Sequence, residues 1–162
     1  MGTLINDISK ASIWLIKEFK ELQKELDYSV ESVKLIDDFL DHEIKHGQPI
    51  PGGLFTNQFG YKCFAIGAYI GEVVIRNSKA AKWQVDDKDK DGEINISIIS
   101  ANNIVIWPVQ RVIKRIQNGG EDELYAYIYT TVIDMRFEGD IPEGFFPKKM
   151  EHGKSWWNLF KN

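Results

Sequence analysis

Residues 64–76 read FAIGAYIGEVVIR, residues 83–99 WQVDDKDKDGEINISII and residues 103–116 NIVIWPVQRVIKRI, and the succession of these three runs decides the fold. The first places Ala65, Gly67, Ala68 and Gly71 among Ile, Val and aromatic residues. Glycine costs a helix about 1 kcal/mol relative to alanine, a cost offset where a missing Cβ lets another backbone come close. This spacing predicts a helix over 62–77 at the centre of the fold. The other two runs alternate or are β-branched, and predict strands at 83–85, 93–100 and 104–107 of an antiparallel meander. Asp91-Gly92 and Asn102-Asn103 are its turns. Pro108 suits the first position of a fourth helix. Val109, Val112, Ile113 and Ile116 form that helix's apolar face, and Lys114 and Arg115 favour its C-terminal dipole.

Upstream, Ile5, Ile8, Leu15, Phe19, Leu22 and Leu26 recur at helical spacing over residues 4–26, with Ser12 in the one polar slot. A second helix is capped by Asp27 or Ser29, carries Val33, Ile36, Leu40 and Ile44 as its buried stripe, and ends at Gly47 ahead of Pro49 and Pro51. Downstream, Gly119 and Gly120 break the chain, and Glu121, Asp122 and Glu123 open a fifth helix through Leu124, Ile128 and Val132. The expected fold class is α+β: a helical N-terminal pair, a central small-residue helix, a three-stranded antiparallel meander and two C-terminal helices. Residues 1–136 form a single α+β domain, and residues 137–162 a C-terminal tail of aromatic and basic residues.

The 162 residues suffice for one domain with a full core. Hydrophobic content of 43% and charged content of 27% are globular values. A net charge of −4 argues against nucleic acid as a partner, which needs a dense basic face. Cys63 is the one cysteine, so no intrachain disulfide and no multi-cysteine zinc site can form. No basic region leads an apolar run in the manner of a secretory signal, and no apolar stretch nears the ~20 residues of a transmembrane helix. A cytoplasmic location is the expectation.

The run GAYIGEVVIR, a following Trp, an acidic turn and IVIWPVQRVIKRIQNGGEDELYAY together resemble an uncharacterised family of small bacterial α+β proteins. Its skeleton is GAYxGEV…W…WP…KR..NG. Gly67, Glu72, Trp83, Pro108, Lys114, Arg115, Asn118, Gly119 and Leu124 match it, and the resemblance covers about residues 29–134. Some members resemble immunity proteins of toxins or accessory proteins of secretion systems. The resemblance therefore implies a protein partner. It implies no catalytic residue.

Five constellations carry potential chemistry. Asp87, Asp89, Asp91 and Gly92 match the first half of a calcium loop, but Ile98 stands where a bidentate Glu belongs. An Asp-Gly hairpin with solvated carboxylates accounts for the same residues, and with Glu93 it offers an acidic contact for a basic partner. Glu72, among small and apolar residues, is expected in a structural ion pair with Arg76 at i+4, or with Lys114 or Arg115. His42, Glu43 and His46 satisfy the HExxH pattern of zinc hydrolases, although Gly47 and Pro49 follow at once and no third ligand appears downstream at the usual spacing. Arg111, Lys114 and Arg115 make a small, solvent-facing basic face. In the tail, Phe145, Phe146, Trp156, Trp157, Leu159 and Phe160 are interspersed with lysines, a composition for packing or for partner contact.

The residues thus favour a non-catalytic, protein-binding module, an immunity or accessory protein that binds a toxin or secretion-system component. Asp87, Asp89, Asp91, Glu93, Trp107, Trp156 and Trp157 are its expected contacts. No metal or cofactor is assigned. The alternative is a zinc-dependent hydrolase built on His42, Glu43 and His46.

Overall fold

The computed structural model describes residues 2–136, and these form an α+β fold that is mostly helical. Helix α1 (Leu4–Glu21) starts at Thr3, whose Oγ1 accepts the Asn6 amide at 3.5 Å. Ile8, Ala11, Ser12, Leu15 and Phe19 are buried. The stripe is shorter than its spacing suggests: Ile5 and Leu22 are 44% and 40% exposed. The chain leaves the helix through Gln23 at positive φ, and Leu26 reaches the core from the loop beyond.

Helix α2 (Val33–Glu43) buries Val33, Ile36, Asp37 and Leu40. It stops before His46. Strands β1 (Ile44–Lys45) and β2 (Gln48–Pro49) instead form a small antiparallel hairpin, with Ile44 opposite Pro49 and Lys45 opposite Gln48. His46 and Gly47 both take positive φ (53° and 74°), the geometry of the tight turns whose twist suits a hairpin.

Helix α3 (Phe59–Asn77) is the spine, buried continuously from Cys63 to Gly71 and again at Val73 and Val74. It packs against α1 and against the two long helices that follow the sheet. A Cβ on Gly67 would collide with Val109, lying 2.9 Å from its Cα and 3.0 Å from its N. A Cβ on Gly71 would enter the Trp83 indole, 2.5 Å from Cζ2, and approach Ile98 Cδ1 to 3.0 Å. The small residues of the central run are therefore contact points for specific neighbours. Each fully buried Ile or Val adds about 1.5–3 kcal/mol of burial on top.

Strands β3 (Lys82–Gln84), β4 (Ser97–Ile99) and β5 (Val105–Ile106) form the expected antiparallel meander in the order β3-β4-β5. Trp83 lies opposite Ile98, and Ile98 opposite Ile106. Asn103, at φ 62°, makes the second turn, its amide bonded to the Ser100 carbonyl. The first turn is different. Asp91-Gly92 does not join two strands; Asp91 precedes a short helix, α4 (Gly92–Asn95), and β4 begins only at Ser97. Ile94, Ile96 and Ile98 are all buried, so the period of two reported burial correctly while the backbone followed another path.

Helix α5 (Pro108–Asn118) opens on its proline and packs on α3. A 3₁₀ turn (Gly119–Asp122) leads into helix α6 (Leu124–Arg136), which packs on α2 and α3. Gly119 and Gly120 thus tighten the chain instead of interrupting it.

Candidate functional site

The acidic segment is held from within. Asp86 Oδ1 accepts the Lys88 amide and Asp89 Oδ1 the Asp91 amide, each at 2.9 Å, while Asp89 Oδ2 accepts Asn95 Nδ2 at 2.8 Å. Asp87 Oδ1 accepts the Leu4 amide at 2.7 Å, placing a carboxylate at the positive end of α1. Asp86, Asp87 and Asp89 thus each accept a backbone amide, and among the described residues no three acidic, His or Cys side chains are grouped as a cation site. Asp91 and Glu93 remain exposed. Among the described residues neither has an ion-pair partner. Gln110 Nε2 donates to Asn95 Oδ1 at 3.2 Å, tying α4 to the N-terminal half of α5, whose cap residue is the half-buried Trp107. Trp156 and Trp157 lie outside the described residues.

The expected ion pair divides in two. Glu72 Oε2 lies 3.4 Å from Arg76 Nε, and Glu72 Oε1 accepts the Trp83 indole N–H at 2.8 Å. Lys114 and Arg115 take other partners, because α5 meets α3 at Gly67 and Val109 and then carries their side chains toward the 3₁₀ turn and α2. Lys114 Nζ is 3.6 Å and Arg111 Nη2 3.2 Å from Asp122 Oδ1. The Arg111 guanidinium also lies 4.2 Å from the Tyr127 ring centroid.

Arg115 is not part of a solvent-facing basic surface; it is 2% exposed. Its Nε donates to Asp37 Oδ1 at 2.9 Å and its Nη2 to Asp41 Oδ1 at 2.6 Å. Asp37 also accepts the amides of Leu124 at 3.0 Å (Oδ1) and Tyr125 at 2.8 Å (Oδ2), so one carboxylate caps α6 and holds α5. Burial works against the Arg115 charge, but the hydrogen bonds and charges of Asp41 and Asp37 outweigh it and hold the pKa above the ordinary guanidinium value. Asp37 is buried and accepts from Arg115 and from two amides, which are structural contacts. The cluster is a clamp between helices. It was legible only as an acidic residue on the apolar stripe of α2.

A second polar knot surrounds Tyr28, which takes φ 63°. Its ring stacks on Tyr69 at 5.1 Å between centroids, its amide donates to Tyr69 Oη at 2.9 Å, and Arg76 lies over its other face at 3.7 Å. Ser32 Oγ and Tyr69 Oη are 2.6 Å apart.

The HExxH pattern does not present two imidazoles on one helical face. His42 is in α2, with Nδ1 2.8 Å from the Asp38 carbonyl. His46 is in the hairpin turn, and Glu43 Oε2 accepts the Phe55 amide at 3.4 Å. Among the described residues no three His, Cys, Asp or Glu side chains cluster as a metal site. Cys63 is fully buried, and burial pushes its thiol pKa well above the ordinary value, which leaves it unreactive.

A groove of about 260 Å³ opens between α1, α2, the loop at 51–58 and α3. Its floor is Leu15, Phe19, Phe39, Phe55 and Ile66. Phe19, Phe39 and Phe55 form a run of tilted ring contacts, 5.3 Å and 5.9 Å between successive centroids. Nothing in the spacing of the sequence foretells the groove, since Leu54 and Phe55 sit in a loop of glycine, proline and polar residues. No helix among the described residues is long and apolar enough to cross a membrane.

No protein-family model matches this chain, and neither a curated protein nor a solved structure does so.

Proposed function

We propose that the protein is a non-catalytic binding module of the cytoplasm, an immunity or accessory protein whose partner is another protein with a basic contact surface. The observation that carries this reading is the pairing of a braced acidic segment with exposed carboxylates on Asp91 and Glu93 that have no ion-pair partner among the described residues. Because the turn is already ordered, binding loses little further conformational freedom there. Trp107, on the helix end tied to this segment, adds an aromatic contact of the kind enriched at binding hot spots. The resemblance to bacterial immunity and accessory proteins points the same way. Neither the Asp37–Arg115 cluster nor the His42 region offers an open, converging set of groups for catalysis.

The test is affinity capture of the full chain from its native cells at low and high salt, with partners identified by mass spectrometry and then bound as purified proteins. A basic protein held by the native chain, lost with salt and weakened at least tenfold by the D91N/E93Q double variant at unchanged melting temperature is the expected result. A purified partner that binds the double variant as tightly as the native chain removes this surface from the reading.

A further inference from the structure

The groove on α1, α2 and α3 has an apolar floor, an acidic edge and a lip held in place. Leu22 and Leu54 line it and stay exposed. Tyr61, also exposed, extends the patch, its ring meeting that of the lining residue Trp14 edge-on at 5.1 Å. Exposed apolar residues scattered singly are ordinary, whereas a group of them around a groove marks an interaction site. The backbone on either side of Leu54 is pinned. The Gly53 amide donates to the Ile50 carbonyl at 3.1 Å and the Thr56 amide to the Gly53 carbonyl at 3.3 Å, while Glu43 holds the Phe55 amide and the Lys62 ammonium donates to the Leu54 carbonyl. Leu54 is therefore presented to solvent by an ordered loop, and an occupant covers it without first paying to order that loop.

We infer that this groove docks a peptide segment of a partner protein, one that carries bulky apolar side chains beside Lys or Arg. At about 260 Å³ the groove is smaller than the roughly 300–1,000 Å³ of small-molecule sites, and its lining lacks the converging polar groups that orient a metabolite. That size suits a large apolar anchor of the kind peptides set into hydrophobic grooves. Charge selects what stands beside the anchor. Glu18 and Glu21 line the side formed by α1, and among the described residues neither has an ion-pair partner. Lys10, Lys17 and Lys20 of the same helix are not in the lining. Lys62, the one cation that is, donates to the Leu54 carbonyl. An acidic ligand, a fatty acid included, meets two uncompensated carboxylates at the α1 rim, whereas a Lys or Arg beside the anchor is attracted by them. The groove is built from other elements than the acidic face of Asp91 and Glu93, and either assignment stands without the other.

The test selects a random peptide library displayed on phage against the full chain and measures the enriched sequences as synthetic peptides. Peptides that combine Trp, Phe or Leu with neighbouring Lys or Arg are expected, and in ¹⁵N spectra of the full chain their shifts should be confined to the groove, at 14–22, 54–55 and 62–66. Leu54→Asp, a change at an exposed position, is expected to weaken them by about tenfold or more. The E18Q/E21Q variant, which leaves every apolar contact in place, is expected to weaken them by about three- to tenfold, an effect that fades with salt. The D91N/E93Q variant is expected to bind them like the native chain, so failure of the acidic face and failure of the groove are told apart. No enrichment, enrichment of apolar peptides without basic residues, shifts away from the groove, or affinity unchanged in E18Q/E21Q at unchanged melting temperature each overturns the inference. So does a dimer of the native chain in sedimentation that Leu54→Asp dissolves, because a second copy then fills the groove.

Discussion

Arg115 Nε lies 2.9 Å from Asp37 Oδ1, with both side chains almost wholly buried, and the same carboxylate accepts the first two amides of α6. One aspartate therefore neutralises a buried guanidinium of α5 and caps a third helix. Removing it leaves a charge and two amides without partners. Asp37→Ala is expected to lower stability by about 3–5 kcal/mol. Asp41, whose side chain is 61% exposed, belongs to the same guanidinium but stands in water, and Asp41→Asn is expected to cost under about 1 kcal/mol. Urea denaturation of the two variants measures the contrast. Equal losses would mean that burial does not set the strength of this clamp.

Gly71 and Gly67 present a competition of known sign. Alanine raises helix propensity by about 1 kcal/mol, but at Gly71 the new methyl would meet the Trp83 indole and at Gly67 the Val109 backbone. Overpacking typically costs about 1–3 kcal/mol, and neither obstacle is the flexible end of a side chain. Both Gly→Ala variants are expected to melt lower than the native chain. In the Gly71→Ala, Trp83→Leu double variant, part of the Gly71 penalty is expected to disappear, because the ring that collides is gone; an additive result in calorimetry would place the strain elsewhere.

Acid stability should bear the mark of Asp122. Burial alone would raise its pKa, but the Asn118 hydrogen bond and the charges of Arg111 and Lys114 outweigh that and hold it below the ordinary 3.8. On acidification the unfolded chain takes up this proton first, so the contribution is complete above about pH 4–5 and is lost as pH falls through the folded-state value. Asp122→Asn is expected to lower stability at pH 7 and to leave it closer to native below pH 3. The pH dependence of the urea midpoint reports this directly.

Cys63 should behave as a marker of global unfolding. Its thiol is fully buried in α3 and its pKa is driven upward by that burial. An aromatic disulfide reagent at pH 8 is expected to leave the native chain unmodified and to react stoichiometrically in denaturant. Fast labelling of the native chain would show that the spine opens locally.

Much of the α+β frame was legible because its signals are local. Pro108 opened α5 where a proline loses no hydrogen bond, and Gly67 and Gly71 marked α3 as the helix others approach. The errors have an equally local origin. Alternating isoleucines at 94, 96 and 98 describe what is buried, and a short helix followed by a strand buries them as well as a continuous strand does. His42 and His46 are four apart, but His46-Gly47 can fold into a tight turn, and the hairpin it closes removes the second histidine from the helix. At the acidic segment the exposed Asp91 and Glu93 were readable as solvated charges, whereas the bond from Asp87 to the start of α1 was not.

Helix periodicity, glycine placement and the proline position were enough to define the class of fold and its central element, since each depends on conformational preferences within a few residues. The partners of Arg115, the division of Glu72 from Lys114, and the groove beneath Leu54 emerged only from assembly. Each brings together residues from distant parts of the chain, and their meeting depends on how α3, α5 and α2 cross, which no short-range spacing encodes.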